Sequence, residues 1–268
     1  MQRFKAAVVQ MRSTEDIDQN LKRAGELVRA AAADGAQLIT LPENCTFLRI
    51  SANFNVGETL DGRIATFFAE LAREVQAAIL LGSFQELAPS GHRVYNTQVL
   101  FGPDGEIVQK YRKVHLFDID IPGQVTMRES DNVAPGGEAV TADLFGTRLG
   151  MSICYDLRFP ELYRKLLDAG AEVLLIPAAF TMQTGKDHWE VLLRARAIEN
   201  QCYVIAAGQH GHHGGARTSY GHSMIIDPWG LVVARCSDGE GFATAWLDPN
   251  LVASVRRNLP CGEHRRFR

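Results

Sequence analysis

An apolar strand closed by proline occurs twice in this chain, and each copy follows the same kind of helix. One copy is Gly35-Ala36-Gln37-Leu38-Ile39-Thr40-Leu41-Pro42; the other is Gly170-Ala171-Glu172-Val173-Leu174-Leu175-Ile176-Pro177. Upstream, Leu21, Ala24, Val28 and Ala31 recur at helical spacing on one face, as do Leu162, Leu166 and Ala169. Downstream, Ala78-Ile79-Leu80-Leu81-Gly82 matches Val204-Ile205-Ala206-Ala207-Gly208. Turns at Pro103-Asp104-Gly105 and Pro228-Trp229-Gly230, each between apolar runs, mark hairpins in matching places. Each half therefore reads strand, helix, strand, helix, strand, hairpin. Two open α/β layers of this kind each leave one apolar sheet face bare. Burying those faces against each other gives an α/β fold of four layers, an α-β-β-α sandwich of two pseudo-symmetric halves. A single doubly wound sheet is the alternative, and the paired hairpins favour two sheets. No Ser/Gly-rich linker, low-complexity run or charge block divides residues 1–268, which read as one domain.

The bulk numbers exclude several classes of function. The 268 residues exceed an average domain but suit one large α/β unit. With 28 basic and 31 acidic residues the net charge is −3, which provides no electrostatic footprint for nucleic acid or an anionic membrane. The first ten residues read as a strand rather than a signal peptide, and no apolar run approaches the ~18 residues of a membrane span. Five cysteines, Cys45, Cys154, Cys202, Cys236 and Cys261, include no Cys-x-x-Cys pair. That argues against a disulfide framework or a cysteine zinc site, and for a reducing, cytoplasmic setting.

Three strand ends carry polar residues where apolar or turn residues are expected. Glu43 follows the buried strand that ends at Pro42. Cys154 follows the mostly apolar run Leu149-Gly150-Met151-Ser152-Ile153, with a helix signal at Phe159-Pro160-Glu161 soon after. Lys113 lies just past the strand that leaves the first hairpin. In α/β sheets ligands collect outside the carboxyl ends of strands, so these groups can converge. Helix N-terminal amides near a strand-to-helix elbow favour a thiolate. A carboxylate can take the thiol proton during attack on a carbonyl, and a lysine ammonium can stabilise the oxyanion. Taken singly, each has a plainer explanation: a small core residue, a helix-start charge, a solvated lysine.

The motifs Leu41-Pro42-Glu43, Tyr111-Arg112-Lys113-Val114-His115-Leu116 and Cys154-Tyr155-Asp156-Leu157-Arg158-Phe159-Pro160-Glu161 resemble, in that order, the three signatures of the nitrilase superfamily of carbon–nitrogen hydrolases. Within it the chain looks most like the Nit branch of amidases. That finer likeness rests on Phe117-Asp118-Ile119-Asp120-Ile121-Pro122-Gly123, residues 188–199, Tyr220-Gly221-His222-Ser223 and Asp227-Pro228-Trp229-Gly230. The resemblance implies the same sandwich and a Glu-Lys-Cys triad: Glu43 as general base, Lys113 as oxyanion stabiliser, Cys154 as nucleophile. Glu129 matches a second glutamate of the family and is assigned to orienting Lys113 or the substrate. The Tyr155 N–H is expected as a second oxyanion donor. Tyr155-Asp156 after the nucleophile resembles amidases; nitrilases proper usually have Trp-Glu there. The branch divides mainly into ω-amidases, acting on 2-oxoglutaramate and 2-oxosuccinamate, and amidases acting on deaminated glutathione. Residues 198–204 and 233–237 look closer to the latter. A partner-binding module that kept the fold is a reading of another class, opposed by the complete triad.

Arg158 is a candidate for the carboxylate of a 2-oxo acid substrate, with an ion pair to Asp156 or Glu161 as the alternative. Phe180 and Thr181 are expected as pocket walls, and Cys45 as lining the pocket without reacting. Residues 180–187 read as a loop leading to the pocket, with Lys186-Asp187 where relatives commonly have Pro-Ala. His210, His212 and His213 lie in a Gly-rich stretch, residues 208–215, read as a mobile loop rimming the site; their spacing fits no usual zinc pattern. No metal or cofactor is expected. The partners expected are a small amide substrate and a second copy of the chain, since family members commonly dimerise through the helix after the nucleophile, residues 159–167 here, often with the basic C-terminal tail.

Overall fold

The computed structural model describes residues 3–50, 56–89, 91, 93–121 and 125–267. Its elements begin with β1 (Phe4–Gln10), α1 (Ile17–Ala33), β2 (Leu38–Thr40), α2 (Arg63–Val75), β3 (Ala78–Leu87), β4 (Val94–Phe101) and β5 (Ile107–Arg112). There follow β6 (Asp118–Ile121), β7 (Val125–Arg128), β8 (Val140–Leu144), β9 (Thr147–Met151), α3 (Pro160–Asp168), β10 (Val173–Leu175) and α4 (Met182–Asn200). The chain ends with β11 (Tyr203–Ala206), β12 (His210–Gly214), β13 (Arg217–Tyr220), β14 (Met224–Ile226), β15 (Val232–Arg235), β16 (Gly241–Leu247) and α5 (Pro249–Asn258).

Two six-stranded sheets share one topology, β16-β1-β2-β3-β4-β5 and β8-β9-β10-β11-β14-β15. In each, three consecutive strands run parallel, with one antiparallel strand on one side and two on the other. The repeat in sequence is thus a repeat in space. One strand crosses the divide: β16, from the end of the chain, pairs along β1 from Phe4↔Leu247 to Gln10↔Gly241. The hairpins β6–β7 and β12–β13 stand outside both sheets and have no counterpart in the other half.

The parallel strands β1, β2 and β3 of the first sheet are buried and largely apolar on both faces, as a covered parallel layer requires. Ala6, Val8, Leu38, Ala78, Leu80 and Leu100 pack toward the second sheet. Their neighbours Ala7, Val9, Ile39, Ile79, Leu81 and Val99 pack toward α1 and α2. This alternation follows from the two-residue period of a strand. Leu21, Ala24, Val28 and Ala31 are all buried on α1, whose N-cap Asp16 accepts from the Gln19 N–H. Leu162 and Leu166 are buried on α3, which begins with Pro160 at its first turn. Ala169 does not join them: the helix stops at Asp168 and Ala169 caps it, exposed.

Two loop expectations are corrected. The Gly-rich histidine stretch forms the β12–β13 hairpin, pinned by His213, whose Nδ1 lies 2.8 Å from the Ser13 carbonyl and Nε2 2.9 Å from Ser219 Oγ. Residues 182–187 are the first turns of α4, because the Thr181 side chain accepts from the Thr184 N–H and starts the helix there. Lys186 and Asp187 pair with each other on its exposed side, and neither lines the site cavity. Gly185 permits tight docking of the hairpin on α4: a Cβ there would sit 2.3 Å from the Cβ of Tyr220. No helix among the described residues is long and apolar enough to cross a membrane.

Candidate active site

Three strand ends deliver the triad. After β2, Leu41 and Pro42 carry the chain to Glu43, which is 3% exposed. Gly82 in β3 makes room for that passage: a Cβ there would meet the Leu41 and Pro42 carbonyl oxygens at 2.0 and 2.2 Å. β5 runs on to Arg112 and places Lys113 directly past its end, 2% exposed. After β9, Cys154 opens a short 3-10 turn, Cys154–Arg158, with φ at 49°. A non-glycine residue held in the left-handed region is strained, and the surroundings must over-determine it. Here the Cys154 N–H donates to the Pro177 carbonyl, 2.9 Å, and the Ile153 N–H to Asp156 Oδ2, 2.8 Å.

Asp156 ties this elbow to the lysine strand. Fully buried, it also accepts from Tyr111 Oη at 2.7 Å and from the His115 N–H at 3.0 Å, with His115 Nδ1 at 2.8 Å. Tyr111 and His115 flank Lys113, so one carboxylate fixes the nucleophile and the lysine relative to each other.

Lys113 Nζ lies 2.9 Å from both Glu43 Oε1 and Glu129 Oε2. Asn96 Nδ2 donates to Glu43 Oε1 at 2.9 Å and to Glu129 Oε1 at 3.1 Å. The Phe117 N–H holds Glu129 Oε2 at 2.7 Å, and the Ala179 N–H holds Glu43 Oε2 at 2.9 Å. Glu43 and the Cys154 thiol are near enough for each to act on the other's ionisation.

The charge states follow. Burial works against the Glu43 carboxylate, but the Lys113 charge, hydrogen bonds from Lys113 and Asn96, and the neighbouring Cys154 thiol outweigh it, so its pKa falls below the usual value. Burial likewise works against the Lys113 ammonium, and the charges of Glu129 and Glu43 hold its pKa well above the usual value. Burial and the Glu43 charge raise the Cys154 thiol well above its usual value, against the pull of Lys113. The resting cluster is therefore carboxylate, ammonium and neutral thiol. Such a thiol needs a base at the moment of attack, and the base is already ionised beside it.

Cys154 stands where two cavities meet. The larger is lined by Glu43, Asn96, Lys113 and Glu129 on one side and by Arg49, Arg128, Arg217, Thr218 and Ser219 on another. The smaller is lined by Tyr155, Arg158, Phe180 and Thr184, and the two share Phe117, Cys154, Ala179 and Thr181. The structure thus brings together all four expected catalytic candidates and all four expected substrate-side candidates. Arg158 has no salt bridge to Asp156 or Glu161. Its guanidinium lies 5.3 Å from the Phe180 ring centre and 5.9 Å from that of Tyr155, with one nitrogen 3.3 Å from His188 Nδ1.

Asn96, Asp156 and the three arginines of the larger cavity were missed by the sequence reading. Asn96-Thr97-Gln98 inside the strand run of residues 94–101 was a readable sign for the first of them. The arginines come from hairpins and loops whose folding no periodicity announced. Cys45 is corrected: it is fully buried in the core between the first sheet and α1–α2, outside both cavities, and burial pushes its thiol up to about 12. Cys202 and Cys236 are also buried, and Cys261 is exposed. Among the described residues no three His, Cys, Asp or Glu side chains converge as a metal site would require.

Known proteins share this arrangement of chain. The human protein "Deaminated glutathione amidase" is 47% identical over 267 residues, 97% of this chain and 81% of that one. The Synechocystis protein of the same name is 45% identical over the full length of both. Among solved structures, the Caenorhabditis elegans NitFhit protein superposes with a TM-score of 0.93 at 41% identity, covering 98% of this chain and 65% of that one. Saccharomyces cerevisiae Nit3, described as a member of branch 10 of the nitrilase superfamily, gives 0.87 at 32% identity, covering 99% and 97%. The carbon-nitrogen hydrolase family profile matches residues 5–257, and the chain belongs to that family, whose enzymes hydrolyse carbon–nitrogen bonds other than peptide bonds.

Proposed function

We propose that this protein is a cysteine amidase that cleaves deaminated glutathione to 2-oxoglutarate and cysteinylglycine through a thioester on Cys154. The observation that carries the reading is the single buried cluster of Glu43, Lys113 and Cys154 at the junction of two arginine-bearing cavities. The identity to relatives bearing that name supports the substrate.

In this reading Glu43 takes the thiol proton as Sγ attacks the amide carbonyl. The oxyanion is met by Lys113 Nζ and by the Tyr155 N–H, which sits in the first turn of a helix, where amides lack intrahelical acceptors. The carbon–nitrogen bond then breaks and protonated Glu43 passes its proton to the leaving amine. Water enters and gives a proton to Glu43 as it attacks the thioester. Collapse releases the carboxylic acid, and the proton returns to the Cys154 sulfur. Glu129, bound to Lys113 and Asn96 but not to the thiol, acts as a positioning residue. Arg158, with Phe180 and Tyr155 in the smaller cavity, takes the carboxylate of the 2-oxo acid half, and Thr181 forms the wall between the cavities.

We also read the protein as cytoplasmic and as a homodimer or higher homo-oligomer. Val191 and Ile198 lie seven residues apart on one face of α4, and exposed Trp229 and Leu231 flank Gly230 beside Ile198; this uncovered apolar surface supports a second copy of the chain as its partner. Parallel assays on deaminated glutathione and 2-oxoglutaramate test the function. Higher kcat/KM on the former is expected; faster turnover of the latter makes the protein an ω-amidase.

A further inference from the structure

Among the described residues, none of the three arginines that line the larger cavity is in an ion pair, and two of them, Arg49 and Arg217, are joined to each other. Among the described residues, neither Arg49 nor Arg217 has a carboxylate within ion-pair distance. Among the described residues, the polar contact made by these guanidinium groups is Arg217 Nη1 donating to the Arg49 carbonyl, 2.7 Å. That bond brings the two residues together, and the Arg49 charge works against the Arg217 cation. Burial and this repulsion both work against the Arg217 cation, while Glu43, Glu129 and the Cys154 sulfur are near enough to act on it. A partly buried cation beside another cation is costly unless an anion joins them.

Its position tells which part of a substrate that anion belongs to. Arg49 and Arg217, with Met127, Thr181 and Thr218, are shared between the larger cavity and a groove that continues outward. The groove runs between Thr126 and Met127 of the β6–β7 hairpin and residues 214–218 of the β12–β13 hairpin. It continues from the larger cavity, whereas Arg158 lines the smaller one, which neither Arg49 nor Arg217 reaches. If the acyl half occupies the Arg158 side, the amine half must leave along the groove. The hairpin that presents Arg217 is well anchored. His213 bridges Ser13 and Ser219, and Gln209, at its base, donates to the Glu43 carbonyl at 3.0 Å.

We propose that Arg217 and Arg49 form a leaving-group subsite that binds a carboxylate on the amine half of the substrate. This rests on the amidase reading above and adds to it the feature that separates a peptide-bearing amide from a simple one. An amide whose nitrogen carries a short acidic peptide meets the arginine pair; an amide that releases only ammonia leaves it empty.

The test uses three substrates: deaminated glutathione, its C-terminal glycinamide, and 2-oxoglutaramate. The first two differ only in the carboxylate. On the wild-type protein kcat/KM for the acid is expected to exceed that for the glycinamide about ten- to a hundredfold, the loss of one charge-assisted contact. Arg217→Gln and Arg49→Gln should each shrink that ratio toward one, and Arg217→Lys should restore part of it. The wild-type comparison depends on no variant folding. Equal turnover of acid and glycinamide, with deaminated glutathione still preferred over 2-oxoglutaramate, overturns the subsite and leaves the substrate reading standing. An unchanged ratio in Arg217→Gln, with both rates lowered, also overturns it and makes Arg217 structural. Preference for 2-oxoglutaramate overturns the substrate reading and the subsite with it.

Discussion

The two halves of the molecule share a scaffold but not a chemistry. The pairings Ala6↔Leu38 in the first sheet and Leu149↔Val173 in the second make Met11 the counterpart of Cys154, and Ala178 the counterpart of Glu43. The second half's first strand end is reactive and the first half's is apolar; at the second strand ends the order is reversed. Glu43 and Cys154 therefore meet across the pseudo-symmetry, while Met11 and Ala178 each bridge to the segment holding Gly208 and Gln209 and close it as core. Cys154 is held at φ 49°, and Met11 is not among the residues of positive φ. The repeat thus provides two equivalent places for a site. One is strained, polar and open to a cavity; the other is relaxed, apolar and closed.

The largest effects belong to the reactive place. Cys154→Ala should lower turnover by at least ~10⁴-fold, since removing a nucleophile leaves only binding and electrostatic stabilisation. Intact-protein mass spectrometry of wild type quenched during turnover should show an acyl adduct, and the variant none. Turnover surviving in Cys154→Ala would show that the asymmetry between the ends is not the source of activity. Glu43→Gln should cost about 10²–10⁴-fold, the range for a lost general base. Its thiol should behave in the opposite sense. The Glu43 charge raises the Cys154 pKa, so removing that charge while keeping Lys113 should let the thiol ionise at lower pH. Iodoacetamide should label Cys154 in the inactive variant at a lower pH than in wild type. Unchanged alkylation profiles would mean that Glu43 does not act on the sulfur.

Much of this was legible in the sequence because it depends on local periodicity and short motifs. The alternation Ala6-Ala7-Val8-Val9 encodes a strand buried on both faces, and the repeated Gly-strand-Pro units encode the doubled topology. The ends at Glu43, Lys113 and Cys154 stood out as polar residues in apolar punctuation. What was not legible depends on distant pairing. β16 joins β1 over more than two hundred residues of chain, and nothing local marks its partner. The β12–β13 hairpin looked like a loop because its glycines and histidines have little strand propensity; it is held by contacts from Ser13 and α4 instead. Arg217 and Arg49 were invisible for the same reason, whereas Arg158 was found because it belongs to a motif.

The apolar counterpart should respond in stability rather than rate. Met11 is fully buried, so Met11→Ala should cost about 2–5 kcal/mol of unfolding free energy through lost packing and the cavity it leaves. At temperatures where the variant is folded, kcat should stay within about threefold of wild type. Chemical denaturation with parallel kinetics checks both. A large kcat loss in folded Met11→Ala would mean that the closed place is coupled to the open one and that the two do not divide stability from chemistry.

The smallest expected effect lies on the hairpin between the two places. His213 is 5% exposed, and burial lowers its pKa to about 4, partly offset by the bond to the Ser13 carbonyl and reinforced by the repulsion of Arg217, Arg12 and His212. In the unfolded chain the same ring titrates near 6.5. Between those values the unfolded state binds a proton that the folded state refuses. The hairpin's contribution is therefore intact above about pH 6.5 and is lost as pH falls toward 4, by at most about 3 kcal/mol. Other groups titrate in this window, so the measurement is a difference: urea unfolding of wild type and His213→Gln at pH 7 and pH 4.5. The wild type should lose more stability between the two than the variant. If both lose the same amount, His213 is solvated or charged in the folded protein, and the Ser13–His213–Ser219 bridge is not what fixes the wall that carries Arg217.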